Sequence, residues 1–125
     1  MEKLAIFENI LVDKGSRYAV SGAVVTDRAE IDAHLKQLKK QKKFAKATHH
    51  SWGVVFTDKG PVKHDDGETG AGMVIIRMLE RAELTDHLII VTRWFGGTKL
   101  GGDRFRHIQE SVRIYFDETG LSRLP

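Results

Sequence analysis

Val91-Thr92-Arg93-Trp94-Phe95-Gly96-Gly97-Thr98-Lys99-Leu100-Gly101-Gly102-Asp103-Arg104-Phe105 is the stretch around which the chain is organised. The apolar run from Leu88 to Val91 leads into it and reads as a strand buried on both faces. Gly96-Gly97 and Gly101-Gly102 then let the backbone turn where a side chain would clash. Phe105, Ile108, Val112 and Tyr115 or Phe116 follow at the spacing of one helical face. The unit is strand, glycine-rich loop and helix, with Arg93, Lys99 and Arg104 at the junction. Unpaired N–H groups at such a helix start suit an anion. The plainer alternative is a tight turn whose glycines only solve a geometric problem.

Outward from this unit, 125 residues make one domain, 1–125, able to close its own core. The absence of cysteine excludes a disulfide frame, a thiolate zinc site and thiol catalysis. No apolar stretch approaches the roughly 20 residues of a membrane span. The start, Met1 to Phe7, is too short and too acidic for a signal peptide, so a cytoplasmic location is expected. The formal charge of +3 is spread along the chain except at Lys36, Lys39, Lys40, Lys42, Lys43 and Lys46, where no acid intervenes. That run is either a phosphate-contacting patch or a solvated helix end that complements the macrodipole.

Leu4 to Val12 and Arg17 to Val25 read as a hairpin around Asp13-Lys14-Gly15-Ser16. Asp27 to Glu30 has the form of a capping box, and Ile31, Leu35 and Leu38 predict a helix to about Lys43. Thr48 to Thr57 predicts a strand with His50, Trp52, Val54 and Phe56 on one face and His49, Ser51, Gly53 and Val55 on the other. A turn at 58–61 and a short return strand, Val62 to His64, come next. A second glycine-rich loop, Asp65-Asp66-Gly67-Glu68-Thr69-Gly70-Ala71-Gly72, opens a largely apolar helix over roughly Thr69 to Glu83. The order is ββαβ then αβα, a two-layer α/β (α+β) sandwich with helices on one face of a mixed sheet. The tail, Leu121 to Pro125, is expected to fray.

Neither glycine loop has a P-loop or dinucleotide fingerprint. His64, Asp65, Asp66 and Glu68 could suggest a metal, but acids and glycines there also serve a turn and a helix start, so no metal and no cofactor is assigned. No serine stands in a nucleophile elbow.

Taken together, Ala47-Thr48-His49, the 65–72 loop and Thr92 to Gly101 resemble the signatures of the IMPACT family, also called the YigZ or uncharacterised-protein family 0029 group. Ser16-Arg17-Tyr18 resembles that family's Ser-Arg-aromatic, and the match runs from about residue 14 to 118. Gly102-Asp103-Arg104-Phe105-Arg106-His107-Ile108, and Thr69 where many bacterial members place proline, resemble the eukaryotic variety. The resemblance implies a fold like domain IV of the translocation elongation factor, including a left-handed crossover. It also implies translation regulation, through the activator of the starvation-sensing kinase, and contact with actin. The N-terminal RWD domain of eukaryotic members and the C-terminal ferredoxin-like domain of bacterial ones are not expected in this chain.

From these readings the chain is expected to be a non-enzymatic, translation-associated module binding RNA or a ribosome-associated partner at an anion site. The site would comprise Arg93, Lys99 and Arg104, with Asp65, Asp66, Glu68, Thr69, Gly70 and Gly72 of one loop and Gly96, Gly97 and Gly101 of the other. Ser16, Arg17 and His49 would be neighbours. The alternative is a protein-interaction regulator of the kinase pathway or of actin; a third is a hydrolase using Asp65, Asp66, Glu68 and His49.

Overall fold

The computed structural model describes residues 1–121, so the expected fraying of the tail lies, from Ser122 onward, outside the described residues. Strands β1 (Ala5–Asp13) and β2 (Ser16–Val24) form the expected hairpin. Lys14 and Gly15 both have left-handed backbones, φ 48° and 82°, as a two-residue hairpin turn of matching twist requires. Helix α1 (Arg28–Lys40) and the short α2 (Lys42–Ala45) lead to β3 (His49–Phe56) and β4 (Gly60–His64). Then come α3 (Ala71–Arg81), β5 (His87–Trp94) and α4 (Asp103–Thr119). The sheet order is β1-β2-β5-β3-β4.

The α+β sandwich is as expected, with two details corrected. Every strand pair is antiparallel, so the sheet is not mixed. Nor do all helices share one face. Ile89 and Val91 of β5, with Tyr18 and Val20, pack against Ile75 and Leu79 of α3 and Ile108 and Val112 of α4. Leu88 and Ile90, with Ala19, Trp52 and Val54, pack instead on Ile31 and Leu38 of α1 and Phe44 of α2. β5 is apolar at consecutive positions because both its faces are covered.

This arrangement fixes the hand of one crossover. β2 and β3 are both antiparallel to β5, hence parallel to each other, and α1 joins them. β4 and β5 are both antiparallel to β3, and α3 joins them. Half a turn about the sheet normal superimposes the two steps, yet α1 and α3 cover opposite faces. The crossovers therefore have opposite hands, and one is left-handed against the general rule.

Helix α1 ends at Lys40, short of the expected Lys43, because Gln41 is extended. In a continuous helix Leu38 and Phe44 would project about 240° apart, at about 100° per residue. The break turns Phe44 into the core beside Leu38. Asp27 caps α1 through the N–H of Glu30, and Glu30 reaches back to Thr26 rather than to Asp27.

Gly22 marks the tightest sheet–helix approach. A Cβ there would stand 2.5 Å from Tyr115 Cζ and Oη and 2.7 Å from the Leu88 carbonyl oxygen. Gly22→Ala is expected to lower stability by about 1–3 kcal/mol in denaturant unfolding. An unchanged midpoint would show that α4 can shift freely on the sheet.

Candidate functional site

At the end of β5 the side chain of Arg93 turns inward beneath the loops. Its Nη1 donates to Glu68 Oε1 at 2.7 Å and its Nη2 to Ser16 Oγ at 3.3 Å. Arg93 and Glu68 side chains are 6% and 2% exposed, so this is a buried ion pair. Ser16 Oγ also accepts the Gly96 N–H at 3.1 Å, which ties the 96–102 loop to the β1–β2 turn. Gly96 has no room for a side chain, since a Cβ would collide with the Gly15 backbone. Tyr18 lies fully buried beneath, its ring centre 5.9 Å from the Arg93 guanidinium carbon. Burial pushes the Tyr18 phenol up to about 12, so it stays protonated.

The 65–72 loop is bound to β3 by its own acids. Asp66 Oδ2 accepts the His50 N–H at 2.7 Å, and Ser51 Oγ donates to the Asp65 carbonyl at 2.9 Å. His49 Nδ1 donates to the Asp66 carbonyl at 2.8 Å, leaving Nε2 3.7 Å from Glu68 Oε2. Asp65 caps α3, accepting the N–H groups of Gly70 (3.0 Å) and Gly72 (2.8 Å). Burial works to raise the Asp65 pKa, but those two N–H donors prevail and hold it below the ordinary 3.8. A Cβ at Gly72 would press on Asp65 Oδ1 at 2.9 Å, so this glycine serves the cap.

The two loops lie side by side, as the sequence predicts. Arg104 Nη2 donates to the Thr69 carbonyl at 3.0 Å, and a Cβ on Gly70 would be 3.0 Å from the Phe105 ring. Between them opens a cleft of about 500 Å³ walled by His49, Arg93, Phe95, Lys99, Arg104 and Phe105, with Leu100, Gly101 and Gly102 along its floor and rim. No carboxylate lines it. Lys99 is exposed and has no hydrogen-bond or ion-pair partner among the described residues. The buried Nε–H groups of Arg93 and Arg104 likewise have none. Gly97 (φ 93°) and Gly101 (φ 56°) hold left-handed backbones in open space.

Several expectations need correction. Arg93 is not a free cation at the loop mouth, because its guanidinium ends are committed to Glu68 and Ser16. Asp65, Asp66 and Glu68 are occupied by backbone N–H groups or by Arg93, so they hold the site together and do not face its cleft. Neither helix start is an open seat for an anion. Asp65 occupies that of α3, and the first N–H groups of α4 donate to the carbonyls of Leu100, Gly101 and Gly102. Arg17 belongs to a separate cleft with Trp94. Among the described residues no group of His, Asp or Glu has the arrangement of a metal site.

Tyr18, Phe95 and Phe105 were not singled out as site residues from the sequence, nor was Thr48, whose Oγ1 accepts the Phe95 N–H at 2.9 Å. Tyr18 and Thr48 were signalled only as members of the Ser16-Arg17-Tyr18 and Ala47-Thr48-His49 motifs, and Phe95 and Phe105 only by flanking the glycine-rich stretch.

Fold and cleft define a class: an antiparallel α+β sandwich whose two glycine loops meet in a cationic cleft. The chain belongs to the family described as the Impact N-terminal domain, whose model matches residues 14–116. An IMPACT homolog of Caenorhabditis elegans is 32% identical over 111 residues, covering 83% of this chain and 43% of the relative. That of Saccharomyces cerevisiae is 32% identical over 108 residues, covering 82% and 42%, and that of Dictyostelium discoideum 35% over 107, covering 82% and 31%. The chain thus spans less than half the length of these relatives. The solved structure of the two-domain translational regulator Yih1 is similar with a TM-score of 0.52 at 32% identity, over 85% of this chain and 43% of that one. A crystal structure of a hypothetical protein gives a TM-score of 0.76 over 94% of this chain and 62% of the other; at 18% identity it shows the fold alone. No helix among the described residues is long and apolar enough to cross a membrane.

Removing Arg93 leaves Glu68 charged and buried without its partner. Arg93→Ala is therefore expected to cost about 3–5 kcal/mol in denaturant unfolding. A loss below about 1 kcal/mol, the range of an exposed pair, would contradict the buried-pair reading. Asp65 gives a pH signature. A carboxylate whose folded pKa lies below its unfolded value stabilises above about pH 4–5, and that stability is lost as pH falls through the folded value. The stability gap between the parent and Asp65→Asn should be full at pH 7 and close below pH 3.8. A gap independent of pH would show that the Asp65 charge plays no part in the cap.

Proposed function

We propose that this chain is a non-catalytic, translation-associated regulatory module that binds RNA, or a ribosome-associated partner, through a phosphate group held in the cleft between the glycine loops. Family membership and the likeness to a translational regulator support the regulatory setting. The cleft itself carries the binding reading: Arg93 and Arg104, each with an Nε–H that has no partner, line it together with an exposed lysine, and no acid does. Buried donors are ordinarily paired, and an anion supplies the missing acceptors. The hydrolase alternative loses its carboxylates, since Asp65, Asp66 and Glu68 are engaged by backbone N–H groups or Arg93, which leaves only the His49 imidazole at the cleft as a base.

A second reading has one observation in its favour. Phe95 is 46% exposed at the cleft rim, which suits a packed protein interface such as that with the kinase activator or actin. Salt separates the two readings. Lys99 touches nothing structural, so Lys99→Ala should keep the parent melting temperature. Its affinity for single-stranded RNA should fall, with the log–log salt slope flattened by about 0.7, the share of one phosphate contact. Equal affinity and slope in parent and variant would remove Lys99 from the site.

A further inference from the structure

On the other face of the β5 end lies a second cleft, of about 200 Å³, lined by Asn9, Arg17, Lys43, Lys46 and Trp94. We infer that it holds one base and the flanking phosphates of a single-stranded RNA; the inference rests on the RNA reading above for the identity of the polyanion.

Three independent features of the fold converge on this cleft. The break at Gln41 turns the lysine run out of the α1 axis, so that Lys43 and Lys46 come against the sheet beside Arg17. The β1 ladder slips between Phe7 and Leu11, where Asn9 takes φ 54° and lines the same cleft. Bulges of this kind re-aim a side chain. The indole of Trp94 is fixed by a hydrogen bond from Nε1 to the Lys43 carbonyl at 3.0 Å and by Phe44, whose ring centre is 5.2 Å away. Lys43 Nζ stands 5.5 Å from the Trp94 ring centre but is paired with Glu8 at 2.7 Å. Arg17 and Lys46 have no such partner among the described residues, so they are the cations left for phosphate.

An aromatic ring held in place among cations is how single strands are bound, because every base has a face to stack; here the base would displace Lys43, whose Nζ lies over the Trp94 ring. In a duplex those faces are covered, and an acidic protein segment would gain nothing from the indole beyond its charges. Trp94 and Phe95 are consecutive, so a strand passing over the end of β5 reaches both clefts.

The test measures binding of a labelled single-stranded uridine decamer to the parent, Arg17→Ala/Lys46→Ala, Trp94→Phe and Lys99→Ala, each first checked for a native melting curve. The double variant should bind about tenfold more weakly and lose about 1.4 from the salt slope, two single-strand phosphate contacts. The decamer should quench Trp94 emission, whereas poly-glutamate of matched charge should not. Unchanged affinity of the double variant overturns the inference, as does poly-glutamate binding as tightly and quenching as much. If Lys99→Ala binds like the parent while the double variant fails, the first cleft is wrong and this one stands. The reverse pattern overturns this one alone.

Discussion

The structure depends on a charge pair placed where water cannot reach it. Arg93 and Glu68 come from segments 25 residues apart, and their contact fastens the 65–72 loop, already bound to β3, to the end of β5. Desolvating both ions is costly, and what offsets it is the direct 2.7 Å contact, the Nη2 bond to Ser16 and the Tyr18 ring beneath the guanidinium, while Nε–H is left without a partner. Ser16 in turn draws the Gly96 amide to the β1–β2 turn. One buried pair thus ties three loops together, and the cleft between the glycine loops takes its walls from that arrangement.

The same pair sorts the charges. Every acid of the 65–72 loop is turned toward backbone amides, toward Arg93 or toward a histidine. The cations left over, Lys99 with Arg104 on one face and Arg17 with Lys46 on the other, keep donors that the fold does not use. A neutral-looking overall balance of +3 therefore conceals two local surfaces where positive charge is uncompensated. Low dielectric beneath each cleft strengthens the attraction for an anion relative to a fully solvated lysine.

Much of the fold was legible because hydrophobic periodicity reports burial directly. The alternation of His50, Trp52, Val54 and Phe56 and the turn signal Asp13-Lys14-Gly15-Ser16 identified their elements, though the structure narrows that turn to Lys14-Gly15. The continuous Leu88–Val91 run did show a strand covered on both faces, but which helix covered which face depended on long-range packing that no local pattern encodes. The break at Gln41 was hidden for the same reason: the five residues between Leu38 and Phe44 suit a helix until both side chains must reach one core. At the site, the glycine loops and their proximity were readable, whereas the fate of Arg93 was not. An arginine after a buried strand looks the same whether its guanidinium emerges or folds under, and only the position of Glu68 decides. Arg17 was misplaced because neighbouring strand residues face opposite ways, and Ser16 and Tyr18 took the side of the first cleft.

On the proposed reading the Arg93–Glu68 pair holds the loops together and an anion binds at the 96–104 loop. Its most direct test follows the backbone amide resonances of the intact chain while the uridine decamer is titrated to saturation. Amides of Gly96 to Arg104 should move progressively with ligand, while those of Glu68 and of the β2–β5 pairs remote from both clefts, Val20 to Ala23 and Leu88 to Val91, stay still. Saturable binding that leaves the 96–104 amides unmoved would contradict it.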